Sequence, residues 1–154
     1  MEPTEVGQMV DMLAHWGPDA TGVWAAGAIG LGHLALWTTP EAPLERAPYR
    51  LEEADIVLTA DARIDNRDEL RRDLDLAAHP IGSIADAELI VRSYEKWGTD
   101  CVDRLVGDFA FALWDGRKRR LFCARDPLGV RPFFYHLDQR RFLFASQIKA
   151  IFVD

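Results

Sequence analysis

Four acids crowd one short stretch of the chain, Asp61, Asp65, Asp68 and Glu69 in "DARIDNRDE" (Asp61–Glu69). Carboxylates this close could hold a cation, but the spacing lacks the glycine turn and terminal acid of a calcium loop. They read instead as a solvated helix start, with negative charge at the positive end of the helix dipole. Two cysteines, Cys101 and Cys123, sit in neither a CxxC pair nor a His/Cys cluster with zinc spacing. They read as reduced thiols, Cys123 packed as a small apolar residue inside "RLFCA". The four histidines are scattered, and His15 and His33 precede or occupy turns, so each reads as a satisfied polar residue rather than a catalyst. No metal-binding, phosphate-loop or Ser/His/Asp signature stands out. Ser83 with Asp86 three residues on has the form of a capping box.

The elements that must position these groups follow from periodicity. Val6, Met9, Val10 and Leu13 recur at helical spacing after Pro3-Thr4, and Gly17-Pro18 should end that helix. Two short strand-like runs follow, "GVWAAGAI" and "LGHLALWTT". Residues 38–53 carry three prolines and no period, which predicts a long irregular loop. "ADIVLTADARI" predicts a strand, and "NRDELRRDL" a helix with Asn66 as its N-cap. "SIADAELIVRSYEKWG" predicts a second helix with Leu89, Ile90, Tyr94 and Trp97 on one face and Gly98 as its stop.

After residue 106 the character changes, since all eight phenylalanines lie between Phe109 and Phe152. "GDFAFALWD" turns through "GRKRR" into "LFCARD", and "RPFFYH" turns through "LDQR" into "RFLFAS", which predicts two antiparallel hairpins. In "DFAFALW" neither face is polar, so both sides of that strand should be buried. A sheet covered on both sides, with helices entering from separate segments, predicts a helix–sheet–sheet–helix arrangement with the aromatic stripe as core.

At 154 residues the chain suits one domain with a core of its own. Its net charge of −7 argues against binding nucleic acid or an anionic membrane, because neutralising phosphates needs clustered Lys and Arg. The basic run Gly116–Arg120 reads as a hairpin turn. No apolar run reaches the length of a membrane span, and the N-terminus does not read as a signal peptide, so the expected location is cytoplasmic.

Taken together, "HWGPDATGVW", "LGHLALW", "DARIDNRDELR", "ADAELIVRSYEKWG", "LVGDFAFALWD", "LFCARDPLGVRPFFY" and "FLFASQIKAIF" occur in the order seen in one family. The chain resembles the N-terminal glutaminase domain, a class II glutamine amidotransferase, of asparagine synthetases and their relatives. The resemblance covers nearly the whole chain and implies an α+β, four-layer αββα sandwich of two antiparallel sheets, the N-terminal-nucleophile hydrolase fold. It implies further that residues 1–154 are an incomplete domain, truncated at both ends, without the ATP-binding synthetase domain. In working members an N-terminal cysteine attacks glutamine's side-chain amide with its own α-amino group as base, and the ammonia passes to an ATP-using domain.

Measured against those requirements, this sequence departs at four of five points. Met1 is followed by Glu2 rather than cysteine, the opening strand is missing, and an interior Cys101 or Cys123 has no free α-amine. The carboxylate-binding arginine of the "LGH-x-RL" block aligns with Ala35. The oxyanion-binding Asn-Gly at the strand end aligns with Asp61-Ala62, and the arginine of "HRGPD" with Trp16. Only Asp86 matches, at the position that holds glutamine's α-amino group. The resemblance therefore implies no catalytic residue and a vestigial glutamine pocket at Ala35, Asp61, Ala62 and Asp86. No cofactor is expected in this chain, ATP and Mg²⁺ belonging to a synthetase domain or subunit as partner; a homodimer is a further option. The wording is closest to nucleophile-lacking relatives such as β-lactam synthetase and lasso-peptide cyclases. The alternatives are a fragment of an ordinary glutamine-hydrolysing asparagine synthetase and a stand-alone scaffold or binding domain.

Overall fold

The spacing of Val6, Val10 and Leu13 does form a helix, α1 (Pro3–Leu13), with those three side chains buried. The computed structural model describes residues 3–37, 42–44, 46–80 and 82–152. The opening Met1-Glu2 and parts of the loops at 38–45 and 81 lie outside the described residues. A single 3₁₀ turn (Ala14–Trp16) follows α1, and the chain enters a hairpin of β1 (Ala20–Ala26) and β2 (Ile29–Ala35). The segment expected to be irregular as far as residue 53 instead contains a short strand, β3 (Tyr49–Leu51). Its propensity is weak, and what fixes it is pairing with β4 (Ile56–Ile64), Tyr49 against Leu58 and Leu51 against Ile56.

Helix α2 (Arg67–Asp73) follows β4, and α3 (Asp86–Trp97) ends at Gly98, whose φ of 61° suits a residue without a Cβ. Next come β5 (Gly107–Asp115) and β6 (Arg120–Arg125), then the hairpin of β7 (Phe134–Leu137) and β8 (Phe142–Ala145) and a 3₁₀ segment at Ile148–Phe152. Gly107 has φ 148° and faces Ile64 across the sheet; a Cβ there would lie 2.0 Å from the Arg63 carbonyl oxygen, so only glycine lets β5 start where it does.

All strand pairs are antiparallel, with β3-β4-β5-β6 forming one sheet and β1-β2 and β7-β8 separate two-stranded sheets. β5 is buried on both sides, as its apolar alternation predicts. Phe109, Phe111 and Leu113 join the α3 residues Leu89, Ile90 and Tyr94 in one core, while Ala112 packs with Leu31 of β2 and Val57 of β4 in another. Phe133 and Phe144 bring the β7–β8 hairpin onto that second core. Helix α1 closes the far side, Met9 and Leu13 meeting Leu34, Ala145 and Ala150. The layers therefore run helix, sheet, sheet, helix, with the outer sheet split into two hairpins.

Two expected caps are corrected. Asn66 occupies the N-cap position of α2, but its side chain makes no capping bond: its amide donates to Arg104 O (2.9 Å) and its oxygen accepts from Val106 N (3.0 Å). Ser83 and Asp86 form no capping box either. Helix α3 starts at Asp86 itself, and the Ser83 hydroxyl donates to Pro80 O at 2.8 Å. For Asn66 partners distant in sequence outcompete the local helix backbone, whereas for Ser83 the preceding Pro80 carbonyl, three residues back, takes the hydroxyl.

Candidate functional site

Between α1, the two hairpins and the four-stranded sheet lies a cavity of about 820 Å³. Ala35, Asp61, Ala62 and Asp86 all line it, although they come from β2, β4 and α3. Ala35 is the last residue of β2. Asp61 and Ala62 are not at a strand end, as the sequence suggests; β4 runs on to Ile64, and they face Ala110 and Phe109 of β5. Trp16 also lines the cavity and is largely exposed.

Each carboxylate on the wall is met by an arginine. Asp86 is buried; its Oδ2 accepts from the Ile64 N–H at 3.3 Å and its Oδ1 from the Arg67 guanidinium, which also donates to Ile84 O. Asp61 is half-exposed and pairs with Arg131 at 3.1 Å. Desolvation by the cavity walls raises the Asp61 pKa, and Arg131 opposes that shift. Arg131 is delivered by a turn whose hub is the buried Asp126, which accepts from Val130 N (2.9 Å) and Arg131 N (3.0 Å). Desolvation alone would raise the Asp126 carboxyl, but these backbone donors win and hold it below the usual range. At the mouth, Arg63 is tied to Asp65 (3.0 Å) and Asp108 (3.4 Å).

His33 also lines the cavity, and it lies in mid-β2 rather than at a turn. Its Nδ1 is 3.2 Å from Thr59 Oγ1, and the Thr59 hydroxyl donates to Gly32 O at 3.0 Å. With the Thr59 proton committed, Nδ1–H must be the donor, which leaves Nε2 as a neutral acceptor. Burial lowers the His33 pKa to about 4, so the ring is a weak base and Thr59 is not activated as a nucleophile.

Neither cysteine lines the cavity. Cys101 is fully buried in the α3 core and Cys123 half-buried between the sheets; burial first, with Asp100 and Asp103 added for Cys101, pushes both thiols up to about 11. Among the described residues no group of three or more His, Cys, Asp or Glu could hold a metal ion, and no helix is long and apolar enough to cross a membrane.

The four wall positions were legible in the sequence, as was His33 as a satisfied polar residue, whereas Arg67 and Arg131 were not singled out. Arg131 had a signal in "ARDPLGVRP", where an acid followed by Pro and Gly marks a tight turn that aims the next charged residue. Arg67 had none, because its partner is 19 residues away.

The sequence model of the glutamine amidotransferase domain family matches residues 1–154. Glutamine-hydrolyzing asparagine synthetase 3 of Bacillus subtilis is 38% identical over 97% of this chain and 25% of its own length. Glutamine-hydrolyzing asparagine synthetase 2 of the same organism is 31% identical over 94% of this chain and 19% of its own. The chain thus spans a quarter or less of these relatives. The solved structure of glutamine phosphoribosylpyrophosphate amidotransferase from B. subtilis, complexed with ADP and GMP, superposes with a TM-score of 0.62 at 18% identity, covering 79% of this chain and 28% of that one. That likeness carries the fold alone, the N-terminal-nucleophile hydrolase sandwich. With fold, motif order and family match in agreement, the chain belongs to the glutamine amidotransferase domain family, in the form found at the N-terminus of asparagine synthetase family proteins.

Proposed function

We propose that this chain is a degenerate glutaminase-like domain that serves as structural partner of an ATP-dependent, amide-forming synthetase part and hydrolyses no glutamine itself. One observation carries this reading: both carboxylates of the cavity, Asp61 and Asp86, are already neutralised by the chain's own Arg131 and Arg67. An incoming glutamine would have to displace a guanidinium to place its ammonium, and Ala35 offers nothing to its carboxylate. Neither Cys101 nor Cys123 reaches the wall, so neither thiol is placed to attack a bound amide. ATP and Mg²⁺ act on the synthetase part, as in the nucleophile-lacking β-lactam synthetase and lasso-peptide cyclase lineages that the wording resembles, and the assembly is cytoplasmic. The test is direct. Purified chain mixed with glutamine should release no ammonia above a heat-killed control, and measurable turnover overturns the reading.

A second reading is favoured by one feature. Among the described residues β2 pairs only with β1 and β8 only with β7, so each has an edge without a partner strand there, and both strands line the cavity under α1. A further strand between them would join the hairpins into one sheet, which suits a piece of a glutamine-hydrolysing enzyme whose nucleophile lies outside these residues. Coding sequence reading Met-Cys-Gly upstream of Met1 would establish this second reading; any other residue in place of the cysteine favours the first.

A further inference from the structure

One polar atom on the cavity wall is fixed in its role and has nothing to bond. Leu31, His33 and Ala35 alternate onto the same face of β2, where Leu31 packs on Val57 and Ala112 of the four-stranded sheet. The bond to Thr59 holds His33 Nδ1 as a donor, so Nε2 can only accept, and it has no partner among the described residues. The charges on the wall, by contrast, are all matched: Asp61 by Arg131, Asp86 by Arg67, and Arg63 by Asp65 and Asp108. Most of the remaining wall is aliphatic or aromatic, and at about 820 Å³ the space is of the size that holds a small organic molecule. Trp16, Leu36 and Trp37 line it and are exposed, which marks where it opens to solvent.

We propose that this cavity binds a neutral aromatic small molecule carrying one N–H or O–H group, which donates to His33 Nε2. The proposal rests on the reading of the cavity as no longer a glutamine site. Three observations select this class. The locked acceptor favours a ligand that brings a donor and gives nothing to one that brings a second acceptor. The paired charges leave no counter-ion for an ammonium or a carboxylate, which would be desolvated without compensation. Phe111, Phe133, Phe142 and Phe144 on the wall suit a planar ring, through edge and face contacts.

The probe is indole, titrated calorimetrically into the full 154-residue chain at neutral pH. N-methylindole, which lacks the donor, and an indole carboxylate, which keeps the N–H and adds a charge, serve as comparisons. Wild type should bind indole about fivefold more tightly than N-methylindole, the worth of one hydrogen bond, and the carboxylate more weakly than indole. The His33 Nε2 nitrogen resonance should move with indole and less with N-methylindole. His33→Phe should make the two indoles equal. Ala35→Trp, which places a bulky ring beside His33 on the same face of β2, should abolish binding of both, and Leu137→Lys, on β7 outside the cavity, should bind as wild type does. Absence of wild-type binding, equal affinity for indole and N-methylindole, or a carboxylate that binds as tightly as indole overturns the proposal. So does unchanged binding by Ala35→Trp, which assigns the indole to apolar surface elsewhere. If His33→Phe does not fold, the ligand comparison and Ala35→Trp decide the matter without it. Ammonia released from glutamine would overturn the reading beneath the proposal, and it is observed separately from indole affinity.

Discussion

The two faces of the four-stranded sheet are built from the same residue types and end in different states. Toward α3, Leu89, Ile90, Val91 and Leu113 are fully enclosed, and Phe109, Phe111 and Tyr94 nearly so. The Phe111 ring meets Phe122 edge-on at 5.6 Å, and the Tyr94 hydroxyl donates to the buried Asp115 at 2.9 Å. Toward α1 the sheet meets two separate hairpins and a cavity of about 820 Å³, and the stacked Phe133–Phe144 pair, 5.2 Å apart, is only partly buried. Close packing makes every methylene on the α3 side count, while the α1 side already contains the void that a truncation would create. The α3 face therefore holds most of the stability, and the α1 face holds the charged, ligand-sized space.

The largest expected effect tests that contrast head-on. Phe111→Ala should cost about 3–5 kcal/mol in a denaturant titration, and Phe144→Ala clearly less, about 2 kcal/mol or below. Equal losses would remove the distinction between the faces.

Next in size is the buried pair on the cavity wall. Asp86→Ala should cost about 2–3 kcal/mol, because it strands the Arg67 guanidinium and the Ile64 N–H in a buried setting. Asp61→Ala should cost less than about 1 kcal/mol, since the Asp61–Arg131 pair is solvent-screened. A reversed order would mean that Asp61, not Asp86, anchors the cavity.

The smallest effect is a pH dependence. Folded His33 stays neutral down to about 4 because burial disfavours its charged form, whereas in the unfolded chain it takes a proton near 6.5. Its folded pKa is depressed, so the unfolded state binds the extra proton and stability falls as pH drops from 6.5 toward 4. Urea midpoints across that range should fall more steeply for wild type than for His33→Gln. Parallel curves would place His33 in water rather than in the cavity wall.

Much of this arrangement was legible in the sequence for reasons that are local. The 3.6-residue spacing of α1 and α3, the Gly98 stop and the two-sided apolar alternation of β5 depend only on which residues follow one another. The wall positions Ala35, Asp61, Ala62 and Asp86 were legible through motif order. Side chains with two possible partners were not legible. Asn66 and Ser83 both have the form of caps, but the fold gives Asn66 the distant Arg104 and Val106 and leaves Ser83 on the Pro80 carbonyl three residues back. β3 was invisible because three residues carry too little pattern, and β4 supplied its hydrogen bonds.

By itself, then, the chain's order of residues determined the layers and put the acids Asp61 and Asp86 on the strand and the helix that carry them. Only the tertiary structure decided what became of the charges left there. Arg131 reaches Asp61 from 70 positions away, and Arg67 reaches Asp86 across the α2–α3 connection. A buried or half-buried carboxylate must find a counter-ion in three dimensions, and no local pattern records which one it finds.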